Sequence, residues 1–178
     1  MTILVSMDQL TTIMHLALTS LVVAPLLYAG VSKVMDPTRF RLALTQYRVR
    51  LPGRGAVVHL IACVELTLGG IVLVIPVAGS AVVAALGYLL LAGVLERARR
   101  LGAKGDCGCF GSLPASIDRV GVARNVGFAI VAAIIASARW LRLLPPYEPV
   151  VGVWCAIGIA LAAATCDTAL AVRGSMQR

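Results

Sequence analysis

Two cysteines separated by one glycine, Cys107 and Cys109 in the run Asp106, Cys107, Gly108, Cys109, Phe110, Gly111, are the residues of this chain best suited to do chemistry. Their thiols are neighbours by construction. A disulfide between positions two apart closes a small ring, and a glycine in the middle supplies the unusual backbone dihedrals that ring demands. Such a bond is strained and exchange-prone, which suits a pair that must pass electrons both ways. Arg99, Arg100, Lys104 and Arg119 lie close in sequence and favour a thiolate, while Asp106 opposes it. The same residues also read as surface thiols or as half of a metal site. A metal site lacks partners here: His15 and His59 fall at span ends on opposite faces, and the site would have to recruit Cys63 or Cys166. No metal ligand is therefore assigned.

Three ionisable residues, Glu65, Arg124 and Asp167, fall inside apolar stretches, where each is costly unless it meets a partner or a cavity. They share a depth. An ion pair between Glu65 and Arg124, with Asn125 beside the arginine, is expected to hold two helices together just beneath the cysteine loop, as structural glue or in support of a reactive site. Lys33 is expected to snorkel to the interface. Cys63 and Cys166 each lie about two turns into a span from the face that carries the loop, which makes them a candidate relay for a disulfide. The plainer reading of both is a small apolar packing residue. Cys155, near the other face, stands apart.

These residues must be positioned by membrane helices. Of the 178 residues 60% are hydrophobic and only 13% charged, whereas an ordinary soluble domain is nearer to about half apolar. The composition excludes a large enzyme with separate soluble domains, and five unevenly spaced cysteines exclude a disulfide-stapled secreted scaffold. The expectation is one all-α integral membrane domain over residues 1–178. A span needs about 20 apolar residues to cross the hydrocarbon core. Five stretches qualify, near residues 13–31, 56–75, 77–95, 120–138 and 149–172, so that a four-helix core is joined by a fifth helix. The second and third spans meet at Pro76 without an intervening charge, which predicts an antiparallel hairpin.

The net charge of +8 is mostly a topology signal. Lys33, Arg39, Arg41, Arg48, Arg50 and Arg54 lie in the first loop, Arg97, Arg99, Arg100, Lys104 and Arg119 in the third, and Arg173 and Arg178 in the tail, against only Arg139 and Arg142 on the other side. The positive-inside rule then puts the N-terminus outside and the C-terminus in the cytoplasm. Lipid is the expected environment, and no nucleic-acid partner is expected. In the first loop, Asp36 and Pro37 open a helix over residues 37–51 whose Phe40, Leu44, Tyr47 and Leu51 share a face, as in a helix lying on the membrane surface and ended by Pro52 and Gly53. Small residues such as Gly69, Gly70, Ala84, Ala85, Gly87, Gly127 and Ala132 predict close helix approach.

A tyrosine and glycine ending the first span, then Lys33, Asp36, Pro37, Phe40 and Tyr47, then Pro52, the membrane Glu65, and finally DCGCFG followed by Arg124 and Asn125, resemble the methylamine utilisation protein MauE family over most of residues 20–130. The chain is more distantly similar to DoxX-like four-helix membrane proteins, which share the first loop and the glutamate but not generally the cysteine pair. The resemblance implies a role in methylamine metabolism at the inner membrane, in maturation of the disulfide-rich small subunit of methylamine dehydrogenase together with a thioredoxin-like partner. Cys107 and Cys109 are, by position, its redox pair. The leading expectation is thus a membrane thiol-disulfide oxidoreductase, and the alternatives are a non-catalytic scaffold or a metal-binding membrane protein. Thiol exchange needs no organic cofactor, and although a quinone is a chemically competent acceptor in a membrane, nothing in the sequence selects it. One tension follows: disulfides of exported proteins form outside the cytoplasmic membrane, whereas the charge count places the pair on the cytoplasmic face. Electron transfer across the bundle, a loop dipping into the bilayer, or an inverted topology would each reconcile the two.

Overall fold

The computed structural model describes residues 7–47, 54–75, 77–103, 105, 107–108 and 117–143. The expected fifth span, with Cys155, Cys166 and Asp167, lies outside the described residues, as does Cys109. The elements are α1 (Met7–Met35), α2 (Pro37–Gln46), α3 (Arg54–Val74), α4 (Ala78–Arg100) and α5 (Arg119–Trp140). Four of them, α1, α3, α4 and α5, are long and apolar enough to cross a membrane. The protein is a multi-pass membrane helical bundle.

The helices run past the apolar stretches that announced them, because polar residues complete the last turns. At the end of α4, Glu96 accepts from both Arg99 and Arg100 at 2.7 Å, the one-turn spacing that supports an exposed helix end. Helix starts follow their caps. Asp36 accepts from the Thr38 amide at 3.2 Å with Pro37 at the first helical position, and Asp118 accepts from the Gly121 amide at 2.8 Å. In the short turn between α3 and α4 the Ser80 hydroxyl lies 2.8 Å from the carbonyls of both Ile75 and Val77, satisfying backbone acceptors where water is scarce.

Around the bundle the order is α3, α1, α5, α4, with every neighbour antiparallel. The packing is uneven: α1 lies chiefly on α3 and α4 chiefly on α5, while α3 and α4 touch sparingly despite their short connection. The core is built from Val22, Val23 and Leu26 of α1, Val72 and Leu73 of α3, Ala84 and Tyr88 of α4, and Ala132 and Ile135 of α5. Small residues do bring α1 onto α3, but at partly different positions from those expected. A side chain on Gly30 would put its Cβ 2.6 Å from the Leu66 Cγ and 3.2 Å from the Ala62 carbonyl oxygen, and one on Gly69 would meet Leu27 at 2.9 Å. Gly70 and Gly127, by contrast, face open space.

Helix α2 also differs from expectation. Phe40, Ala43, Leu44 and Tyr47 share its apolar face, but that face is buried against Val58 of α3, Leu95 and Ala98 of α4, Cys107 and Ile117. It therefore closes one end of the bundle instead of resting on lipid. At the opposite end Arg139 of α5 donates to His15 Nε2 of α1 at 3.2 Å and to the Val77 carbonyl at 3.4 Å, tying α1, α5 and the α3–α4 turn together.

Candidate functional site

Under the α2 cap lies a cavity of about 330 Å³, bounded by α1, α3, α4, the start of α5 and the apolar face of α2. Its walls are almost wholly hydrocarbon. The exceptions are Tyr47, Tyr88, Cys107, Glu65, Arg124 and Asn125, of which the sequence had singled out the last four as chemical groups. Residues far apart in the chain thus converge on one volume.

Cys107 is 1% exposed. Its backbone carbonyl accepts a 2.8 Å hydrogen bond from the Tyr47 hydroxyl at the end of α2. Gly108 follows with φ +65°, a left-handed conformation that glycine adopts without strain. It also presses against α2: a Cβ there would lie 3.1 Å from both the Arg39 carbonyl oxygen and the Phe40 Cα. The Ile117 amide donates to the Gly105 carbonyl at 2.9 Å, just before Asp118 caps α5. Cys107 and Gly108 are therefore held against α2, and Gly105 is tied to the start of α5.

The acidic residue in the wall has a different partner from the one expected. Glu65, 5% exposed, receives the Lys33 ammonium at 2.7 and 2.9 Å, and Lys33 is itself 1% exposed. Lys33 does not snorkel. Its ammonium also donates to the Ala29 carbonyl at 3.3 Å and lies 4.7 Å from the centre of the Phe40 ring, so α1, α2 and α3 share one cation. The physical reason is the close α1–α3 approach at Gly30 and Gly69, which brings the last turn of α1 alongside Glu65. Arg124 lines the same cavity from α5 without being the ion-pair partner of Glu65 in this arrangement. Asn125 donates its amide to the Gly121 carbonyl at 2.8 Å, one turn earlier.

Tyr88 was not anticipated. Its hydroxyl donates to the Val22 carbonyl at 2.6 Å, next to Leu21, the carbonyl of α1 that Pro25 leaves without its helical donor. The sequence signal for it was a lone tyrosine mid-span opposite a helix proline. Cys63 is exposed on the outer side of α3, on a different face from Ala62 and Glu65, and it does not line the cavity with Cys107. Among the described residues no three His, Cys, Asp or Glu side chains gather as a metal ion would require.

Chemically, the arrangement offers a buried thiol on an anchored turn, a neutralised ion pair, an arginine and an apolar chamber large enough for a small molecule, since ligand sites start at about 300 Å³. Neither a curated protein nor a solved structure gives a significant match to the chain. A family model does match: methylamine utilisation protein MauE, over residues 10–138, which takes in α2, the cysteine loop and all but the outer ends of the four spanning helices. With well over half of its length matched, the chain belongs to the MauE family of methylamine utilisation membrane proteins.

Proposed function

We propose that the protein works in methylamine metabolism at the inner membrane as a thiol-disulfide oxidoreductase or maturation factor, using Cys107 and Cys109 with a thioredoxin-like partner. Membership in the MauE family supports the methylamine setting. The observation that carries the redox reading is the setting of Cys107, a thiol on an anchored glycine turn in the wall of an internal cavity. A cysteine that only fills space needs neither the turn nor the chamber. In the proposed exchange a partner thiolate attacks one sulfur of the Cys107–Cys109 disulfide, forming a mixed disulfide and releasing the other cysteine as a thiolate. A second partner thiol then attacks the mixed disulfide, so that the partner leaves oxidised and the pair is left as a dithiol, each thiolate taking up a proton. The excess of Lys and Arg at the α2 end supports a cytoplasmic position for that end, with the N-terminus outside.

The test uses the full chain with Cys63, Cys155 and Cys166 replaced by serine. Samples are acid-quenched, denatured and alkylated with or without prior reduction, because a thiol as buried as Cys107 is poorly reached in the folded protein. Alkylation of both cysteines only after reduction is the expected result. Two thiols that stay reactive without reduction, even after incubation with an oxidised thioredoxin-like protein, would sink the redox reading. Growth on methylamine supported equally by a Cys107→Ser, Cys109→Ser double variant would instead leave a scaffold that recruits the partner. Sidedness is read separately: Arg119→Cys in a cysteine-less background is expected to react with an impermeant maleimide only from the cytoplasmic side.

A further inference from the structure

We propose that the cavity beneath α2 binds a membrane quinone, which accepts the electrons of the Cys107–Cys109 dithiol; this rests on the redox reading above. A pair that oxidises or reduces a partner must be reset by a second reactant, and the cavity decides which phase that reactant comes from. Its mouth lies in the sparse α3–α4 seam, where Leu60, Val64, Leu90 and Val94 line it and are between 41% and 71% exposed on the outer surface of two spanning helices. A reactant entering there arrives dissolved in hydrocarbon. Charged water-soluble acceptors would have to leave water to use this route, at a cost that excludes them.

The chamber also reaches deep. It runs from Cys107 under the cap to Pro25, roughly 15 Å from the end of α1 at about 1.5 Å per residue. An acyl chain would be content with the apolar walls alone, but the same chamber carries Arg124 and Asn125, whose amide keeps a second N–H beyond the one given to Gly121. A quinone has what this mixture matches: a flat apolar ring and tail for the walls, two carbonyl oxygens that accept hydrogen bonds, and negative charge that develops on reduction beside an arginine. The reaction balances without a further reagent. Two S–H bonds break and one S–S bond forms, while two electrons and two protons convert the two quinone carbonyls to the hydroxyls of a hydroquinone.

The experiment uses the full-length protein, reduced, freed of reductant and mixed in detergent with decylubiquinone, while quinone absorbance and thiol content are followed together. The wild type is expected to reduce one quinone per disulfide formed. Val94→Trp, at the mouth, is expected to slow this at least tenfold, and Leu90→Trp at the outer rim serves the same purpose should Val94→Trp fail to purify. Val83→Trp, an exposed position on α4 away from the chamber, is expected to stay within twofold of wild type. Glutathione disulfide is run as a parallel oxidant. Closure of the disulfide by glutathione with no quinone reduced overturns the quinone site and leaves the redox reading standing. Failure with both oxidants removes the redox reading and the inference with it. Unchanged quinone rates in both mouth variants would give the chamber to acyl chains and overturn the assignment.

Discussion

A lysine side chain buried to 1% exposure must find its counter-charge within reach, and for Lys33 that is Glu65 at 2.7 Å, with the Ala29 carbonyl and the Phe40 ring completing its surroundings. Removing one member strands the other in a medium that cannot solvate it. Lys33→Met and Glu65→Gln are each expected to destabilise the protein, Lys33→Met by about 3–5 kcal/mol because it leaves a lone carboxylate, read as a drop in melting temperature in detergent. The double change Lys33→Met, Glu65→Leu removes both charges and is expected to recover most of that loss; a double variant as unstable as the worse single one would mean that the pair does more than neutralise itself. The reason this pair was not legible in the sequence is geometric. Hydropathy reports how deep a residue sits, so Glu65 and Arg124 looked like partners at a common depth, but it is silent about the direction a side chain takes around its helix. Direction is settled by which helices touch, and that depends on contacts such as Gly30 against Leu66. The Tyr47–Cys107 bond was hidden for a related reason, since sixty positions and two spans separate its ends.

Among elements, the four spans within residues 7–143 were legible because an apolar run of about 20 residues has few other uses. The α2 helix was legible in its start and its apolar face but not in its destination, because a face of Phe40, Leu44 and Tyr47 suits lipid and protein equally well. Small residues were a weaker guide still: a glycine permits close approach without requiring it. Gly30 and Gly70 separate the two cases. Gly30→Ala forces a Cβ against Leu66 and the Ala62 carbonyl and is expected to cost about 1–3 kcal/mol as overpacking. Gly70→Ala, on the same pair of helices, meets nothing within 4 Å and is expected to leave the melting temperature unchanged or slightly higher, since alanine suits a helix better. Equal losses from the two would mean that glycine acts here through backbone flexibility and not through packing.

At the scale of the whole molecule, the bundle has two differently built ends. One is clasped by Arg139 on His15 and Val77, the other is capped by α2 and carries Cys107, and two spanning-helix pairs with a sparse seam run between them. Sites at opposite ends of the bundle should act independently. Arg139→Leu is expected to lower stability by about 1–2 kcal/mol through the lost hydrogen bonds, with no change in the alkylation rate of Cys107. Tyr47→Phe is expected to do the reverse, raising that rate several-fold with a small effect on melting. A change in Cys107 reactivity on altering Arg139 would show that the two ends move as one body. A last consequence follows from Gly108, where a side chain would be strained at φ +65° and would press on the backbone of α2 at 3.1 Å. In the pair proposed above, the position between the two cysteines is thus among the least free to change. For the redox role proposed above, variants of this chain with altered poise are expected to carry their substitutions around Cys107 more often than between the two cysteines.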